Sequence, residues 1–310
     1  MTKGIKTVFV AGPTASGKTA LGIGIAKALG GEVVSADSMQ IYKGIHIASA
    51  APDEQEKEGI PHHLLEFTDT DYQFSVADYV KKARECIKDI NSRGILPIVV
   101  GGTGLYISSL ADNTYYSEEK TDLRLRSELE EQFDTLGGEE MLKRLRDIDA
   151  QSADLLHPND RRRIIRAFEV YESSGITKTQ HNFLSHKGEE IVEPLIIGIT
   201  YENRELLYQR INKRVDIMLE NGLLAEAEQS YKRNTAKGGF QAIGHKELYP
   251  YFEGAVSLDE AVERLKMQTR RYAKRQLTWF RRDERINWIY ADKSESPIKD
   301  ALNIINDFWK

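Results

Sequence analysis

Three short apolar runs punctuate the first hundred residues: Thr7–Ala11 (TVFVA), Glu32–Ala36 (EVVSA) and Ile95–Val100 (ILPIVV). Each ends in glycine or a polar turn, the mark of a strand buried on both faces in a parallel sheet. Between them the spacing changes to that of helices. Ala20–Leu29 is one; Ser75–Arg93 is another, with Ser75 placed to cap its start and Gly94 to end it. The segment Lys43–Tyr72 reads as loop. Strand character returns at Leu195–Thr200 (LIIGIT), followed by a helix over Asn203–Met218, a long helix over Leu258–Arg282, a late strand at Ile286–Tyr290 and a closing helix at Ile298–Trp309. Strands alternating with helices predict an α/β fold on a parallel sheet.

The stretch from Asp112 to Glu193 has a different texture. Charged amphipathic helices are predicted over Asp122–Phe133, Gly138–Arg146 and Arg161–Ser173, the last introduced by His157-Pro158-Asn159-Asp160, and no strand pattern occurs. The expected organisation is therefore an α/β core formed by residues 1–112 and 194–310, interrupted by an all-helical insertion at 113–193. No internal repeat is present.

Composition refines this picture. The 310 residues carry a formal charge of −5, which argues against a uniformly basic surface. The average conceals two basic patches: Arg264–Arg285 holds nine Lys/Arg against Asp283 and Glu284, and Arg161, Arg162, Arg163 and Arg166 form a second cluster. Such clusters are usually solvated faces; here few acids interleave and aromatics do, which favours nucleic acid. No apolar run is long enough to cross a membrane, and Met1–Gly4 leads straight into a strand with no signal-peptide pattern. The single cysteine, Cys86, aligns with Tyr79, Val80, Ala83 and Ile87 and is expected to pack in the core. A cytoplasmic protein is expected.

The chemistry starts at Gly12-Pro13-Thr14-Ala15-Ser16-Gly17-Lys18-Thr19, between the first strand and the first helix. The pattern G-x-x-x-x-G-K-[ST] in that setting is a P-loop: backbone N–H groups and a helix N-terminus converge on phosphate, Lys18 reaches the terminal phosphates, and the Thr19 hydroxyl ligates Mg²⁺. Nucleotides such as ATP are the motif's usual occupants, but the loop specifies phosphate and not the rest of the ligand. The second strand ends at Asp37-Ser38-Met39-Gln40, on the same rim as the P-loop. Asp37 is a candidate catalytic carboxylate, with a turn cap or a metal contact as the alternatives. The third strand ends in Gly101-Gly102-Thr103 where many P-loop enzymes carry a metal-linked Asp; Thr103 can donate to a phosphate oxygen, unless the segment is only a tight turn. His62-His63 lacks a third ligand at metal spacing and is read as structural or substrate-loop.

The segments GPTASGKT, SADSMQIYKG, PHHLLE, GGTGLY, HPNDRRRIIRAFEVY, RINKRVDIML with NGLLAE, AIGHKE and AKRQLTWFR follow one another nearly end to end. In this order the chain strongly resembles the tRNA dimethylallyltransferases of bacterial type. The resemblance implies a P-loop NTPase-like core. It implies transfer of the dimethylallyl group of dimethylallyl diphosphate to the exocyclic amine of the adenosine 3′ of the tRNA anticodon. It makes the P-loop, residues Gly12 to Thr19, a diphosphate grip, with Mg²⁺ on Thr19 as cofactor. Lys18, Thr103 and Arg214 would hold the leaving group, and Asp37 would take the amine proton. Asp37, Ser38, Met39, Gln40 and Thr103 would meet the base, with Gln40 as amide donor and acceptor. Arg126, Arg161, Arg162, Arg163, Arg166, Lys274, Arg275, Arg281 and Arg282 would hold the RNA backbone of the anticodon stem-loop. A monomer is expected, and the sequence ends before the zinc-finger extension of some eukaryotic relatives.

Two rivals share the P-loop. A small-molecule or nucleotide kinase would prefer ATP over dimethylallyl diphosphate; a GTPase-like switch or RNA-binding module would bind tRNA without changing it.

Overall fold

The computed structural model describes residues 4–116, 122–185, 189–233 and 242–310. Residues 1–3, on which part of the leaderless reading rests, and residues 117–121 and 186–188 of the expected insertion lie outside the described residues, as do 234–241. The chain separates into two compact units, Met1–Ala111 with Glu190–Lys310, and Asp112–Glu189.

In the larger unit six parallel strands form one sheet: β1 (Ile5–Ala11), β2 (Gly31–Ser35), β3 (His62–His63), β4 (Leu96–Gly101), β5 (Val192–Thr200) and β6 (Asn287–Tyr290), in the order β3-β2-β4-β1-β5-β6. The register aligns Val8 with Ile98 and with Leu195, and Val33 with Ile98. Val8 and Val10 project to a face covered by Leu21 and Ile25 of the first helix and by Ala301 and Ile305 of the last. Phe9 is also fully buried, and the helices Val76–Ser92 and Gly104–Ala111 pack on the sheet as well. Burial on both faces is the reason the strands are apolar throughout rather than alternating. Because β4 lies between β1 and β2, the loops leaving these three strands are neighbours. This places Gly12, Asp37 and Gly102-Thr103 on one rim.

Three expectations need correction. β5 begins at Val192, three residues before the predicted Leu195, because Glu193 and Pro194 disguised a stretch that pairs with Ile5–Thr7. The segment read as loop contains β3 and two short helices, His46–Ser49 and Glu54–Lys57. Cys86 is half-buried at the margin of the face whose centre is Tyr79, Val80, Ala83 and Ile87. The capping of the helix at Val76–Ser92 is as read: Ser75 and Asp78 form a reciprocal capping box, and Gly94 follows with φ 73°.

The smaller unit is helical. Leu123–Ile148 is a single element broken at Gly137, where φ 78° and ψ 161° interrupt the helix. The next residue, Gly138, lies so close to the Pro158 carbonyl that a Cβ would stand 2.0 Å from its oxygen. Leu129, Met141, Leu145, Ile164, Ile165 and Phe168 form its core.

Beneath the sheet, Glu32 accepts a bidentate pair of bonds from Arg93 (2.5 and 2.7 Å) and a third contact from His63 at 2.7 Å. The Arg93 hydrogen bond is the largest cause holding the Glu32 carboxyl at about 2, below its ordinary 4.5, against the opposing effect of burial. A depressed carboxyl contributes stability above its ordinary pKa and loses it as pH falls through the folded value. Arg93→Met is expected to lower Tm modestly at pH 7, because the exposed guanidinium is screened by solvent. The gap from wild type should narrow between pH 4.5 and about 2; thermal melts across that window check it.

Candidate active site

The turn after β1 is wrapped tightly because two of its residues adopt left-handed backbone. Gly17 has φ 96°, where glycine alone is at ease, and Ala15 has φ 61°. Gly12 cannot carry a side chain: a Cβ would meet the Ile199 carbonyl oxygen at 2.4 Å. The strained Ala15 is held from outside, its carbonyl accepting from Arg210 Nε at 3.0 Å, and its methyl packs against Leu207, Ile211 and Ala273. Behind the turn the helix Lys18–Leu29 begins with no side-chain cap. Its first N–H groups are thus aimed at whatever occupies the loop, as an anion requires.

Lys18, Thr19, Asp37, Ser38, Met39 and Gln40 line one cleft of about 290 Å³, together with Thr14, Arg214 and Arg275. Ile211, Val215, Met218, Ile243 and Leu265 form an apolar stretch of its wall, beside Ser49, Lys246, Thr269, Tyr272 and Gln276. Burial is the main cause that lowers Lys18 to about 8, with Arg214 adding repulsion and Asp37 opposing both. Burial likewise pulls the Arg214 guanidinium down, and Asp37 again opposes it. Two half-buried cations thus face one carboxylate. Such a cluster carries a positive excess that an anion would relieve. One Asp37 oxygen accepts the Met39 N–H at 2.9 Å, which fixes the carboxylate's orientation. Thr103 Oγ1 accepts the Ser38 N–H at 2.9 Å and donates to the Ser38 hydroxyl at 3.2 Å, tying the β4 turn to the Asp37 turn.

Other predicted residues find different tasks. Gln40 was read as a base-contacting amide, but both its ends are engaged by the chain. Its Oε1 accepts from Ser35 Oγ at 2.9 Å, and its Nε2 donates to the Ala50 carbonyl at 3.1 Å. The two glycines of the β4 turn approach protein: a Cβ on Gly101 would stand 2.1 Å from the Ala36 oxygen, and one on Gly102 2.4 Å from Gln276 Nε2. The two histidines diverge, His62 Nδ1 bonding the Ile60 carbonyl at 2.8 Å and His63 bonding Glu32. In the helical unit the presumed scarcity of acids does not hold. Arg161 pairs with Asp134 at 2.6 Å, Arg166 with Glu169 at 3.2 Å, and Arg126 with Glu130 at 3.1 Å and Glu169 at 3.4 Å. Arg163 stands 3.9 Å from Asp160, and Arg162 is exposed. In the larger unit Lys274, Arg275, Arg281 and Arg282 are exposed, and among the described residues no carboxylate is within ion-pair distance of them.

Sequence reasoning missed the inner face of the helix Leu258–Phe280. Its basic residues drew attention to the outer face, whereas Leu265, Thr269, Tyr272 and Gln276, at helical spacing, line the cleft. A second missed support is the buried His245, whose Nε2 is 2.8 Å from Glu226. Glu226 also accepts the Ile47 and Ala48 N–H groups, at 2.8 and 2.9 Å, and so fixes the Ala48-Ser49 edge of the cleft. Burial works against the Glu226 carboxylate, but these bonds outweigh it and hold the group below its ordinary range. The spacing of Gly244, His245 and Glu247 was visible; that its partners lie near residues 47 and 226 was not.

For a divalent cation the protein donors are few and hard: the Thr19 hydroxyl and the Asp37 carboxylate face the same cleft. Among the described residues no cluster of three or more His, Cys, Asp or Glu is poised for a metal. That set suits Mg²⁺, which takes few protein oxygens and completes its shell with phosphate and water.

Known proteins place the arrangement. The IPP transferase family model matches residues 40–283. The tRNA dimethylallyltransferase of Acetivibrio thermocellus is 48% identical over 301 residues, covering 96% of this chain and 95% of that one. That of Caldanaerobacter subterraneus subsp. tengcongensis is 45% identical over 292 residues, with 93% and 92% covered. Among solved structures, the full-length tRNA isopentenylpyrophosphate transferase of Bacillus halodurans is 40% identical, covers 97% of this chain with 96% of its own, and superposes with a TM-score of 0.70. A eukaryotic dimethylallyltransferase acting on tRNA is 32% identical with a TM-score of 0.84, covering 98% of this chain with 79% of its own. With the family model matched over residues 40–283 and relatives 40–48% identical over nearly its whole length, the chain belongs to the IPP transferase family.

Proposed function

We propose that the chain transfers the dimethylallyl group from dimethylallyl diphosphate to the exocyclic amine of the adenosine 3′ of the tRNA anticodon. The observation that carries this reading is the make-up of one cleft: a glycine loop with two half-buried cations, a fixed carboxylate and an apolar stretch of wall. The loop suits a diphosphate, the apolar wall a five-carbon chain, and the carboxylate an amine proton.

In the reaction the allylic C–O bond breaks and its electron pair leaves with the diphosphate. The loop N–H groups of Ala15 and of Gly17 to Thr19, together with Lys18 and Arg214, stabilise that developing charge, the Ser16 N–H being turned to the Pro13 carbonyl at 3.3 Å. The Thr14 N–H is turned away to Gln276. Thr103, expected to donate to a phosphate oxygen, instead gives its hydroxyl proton to Ser38 and so holds the Asp37 turn against the rim. The adenine amine nitrogen bonds to the allylic carbon, becomes acidic as it does so, and gives its proton to Asp37. The base reaches the cleft by extrusion from the anticodon loop, passing Ser38 and Met39. Mg²⁺, held by Thr19 with Asp37 nearby, supplies further positive charge to the diphosphate when bound. The exposed cations Lys274, Arg275 and Arg281 serve the RNA backbone, joined by Arg162 and Arg163 of the helical unit; the paired Arg126, Arg161 and Arg166 serve first to shape that unit.

Incubating the protein with unmodified tRNA, dimethylallyl diphosphate and Mg²⁺ should yield N6-dimethylallyladenosine by nucleoside mass analysis. Asp37→Asn should slow its formation by roughly 10²–10⁴ while tRNA affinity stays within a few-fold; equal losses of rate and binding would make Asp37 a docking residue. A kinase would instead consume ATP and leave the tRNA unchanged.

The Lys18 ammonium is charged below about 8 and neutral above it. Affinity for inorganic diphosphate, measured by calorimetry, should therefore be full below that value and fall on the order of tenfold as pH rises through it. Lys18→Arg, which keeps its charge, should lack the inflection and corrects for titration of the ligand itself.

A further inference from the structure

The structure assigns a positioning role to Gln276: its side-chain amide fixes the spacing between the P-loop and the β4 turn. The inference rests on the reading of this cleft as a diphosphate site. Gln276 is 5% exposed and lies on the inner face of the helix Leu258–Phe280. Its Oε1 accepts the Thr14 N–H at 2.9 Å, and its Nε2 donates to the Gly102 carbonyl at 2.8 Å. The partners lie 262 and 174 residues away along the chain. Among the described residues no other element supplies a bond to both.

An amide is the side chain for this task because the two loops make opposite demands. Thr14 presents a donor and Gly102 an acceptor, and one planar amide answers both without a charge. Asparagine is one methylene too short to span the gap from the same helix. Glutamate accepts from Thr14 but sets a carboxylate oxygen against the Gly102 carbonyl. Gly102 is itself explained by this contact, since a Cβ there would stand 2.4 Å from the amide nitrogen.

The amide also orders its surroundings. Tyr272, one helical turn earlier, lies beside it: burial and then Asp37 raise its phenol, and the Thr103 and Gln276 side chains oppose the rise. Thr103 in turn holds the Ser38 N–H. One helix face therefore joins the loop that grips the diphosphate, the turn that carries Thr103 and the turn that carries Asp37. By accepting the Thr14 N–H, Gln276 also withholds that donor from the ligand, so the anion seats deeper, against Ala15 to Thr19. A shift of either loop moves the leaving group relative to the proton acceptor, and catalysis is sensitive to displacements of about 1 Å.

The test compares Gln276→Met, which keeps volume and loses both bonds, with Gln276→Glu and with Trp279→Phe. Trp279 lies on the same helix, packs on Gly104 and bonds Ser108 Oγ at 3.1 Å; Trp279→Phe breaks that bond while keeping a ring on Gly104 and both Gln276 bonds. Each folded variant is measured for inorganic diphosphate affinity, tRNA affinity, KM for dimethylallyl diphosphate, kcat and Tm. Gln276→Met and Gln276→Glu are expected to bind diphosphate at least roughly tenfold more weakly and to lose roughly tenfold or more in kcat, with tRNA affinity within about twofold. Trp279→Phe is expected to lower Tm with diphosphate affinity and kcat within about twofold. The proposal is overturned if folded Gln276→Met keeps wild-type diphosphate affinity and kcat, or if Trp279→Phe shows the same losses. Failure of the wild-type protein to prenylate tRNA would strike the proposed reaction instead, because the diphosphate comparison does not depend on the organic group.

Discussion

Two half-buried cations, Lys18 and Arg214, face one carboxylate across a narrow cleft, and much of the fold serves to hold them there. Burying charge is costly unless it is answered, and Asp37 answers only part of it. The remainder is a standing demand for an anion at the mouth of the glycine loop. The loop meets the same demand from its side, with N–H groups turned inward at the uncapped start of a helix. Charge, backbone dipole and hydrogen-bond donors all select one kind of ligand end: a phosphate. The apolar wall beside it then selects what the phosphate is attached to.

The sheet explains how these parts come to be adjacent. With β4 inserted between β1 and β2, three strand ends far apart in sequence open on one rim. Parallel strands bring all their carboxyl ends to the same side. The glycines then permit the rim to close: Gly12 against Ile199, Gly101 against Ala36 and Gly102 against Gln276. Each contact is too tight for a Cβ. Later segments of the chain supply the other walls, Arg214 from one helix and Tyr272 and Gln276 from another, so the site is complete only with the last third of the chain in place.

Much of this was legible in the sequence where the signal is local. The glycine loop, the strand ending in Asp37 and the capping box at Ser75 are short-range patterns, and the structure has them where the residues put them. What was hidden depends on partners distant in sequence. Gln40 looked like a free amide because nothing near it announces Ser35 and Ala50 as its partners. The arginines at 161 and 166 looked unpaired because Asp134 lies on another helix and Glu169 sits within an otherwise basic run. β5 was cut short because Pro194 argues against a central strand, although its missing N–H is tolerated there. The helix Leu258–Phe280 was read by its charged face alone, and its catalytic-side face escaped notice.

The account depends on where the donor's diphosphate sits. A crystal structure of the enzyme with a thio-analogue of dimethylallyl diphosphate, which cannot lose its leaving group readily, tests this most directly. The diphosphate should lie in the glycine loop within hydrogen-bond reach of Lys18, Arg214 and the amides of Ala15 and of Gly17 to Thr19, with the allylic carbon turned toward Asp37. A diphosphate seated outside that loop, or an allylic carbon facing away from Asp37, would contradict the account.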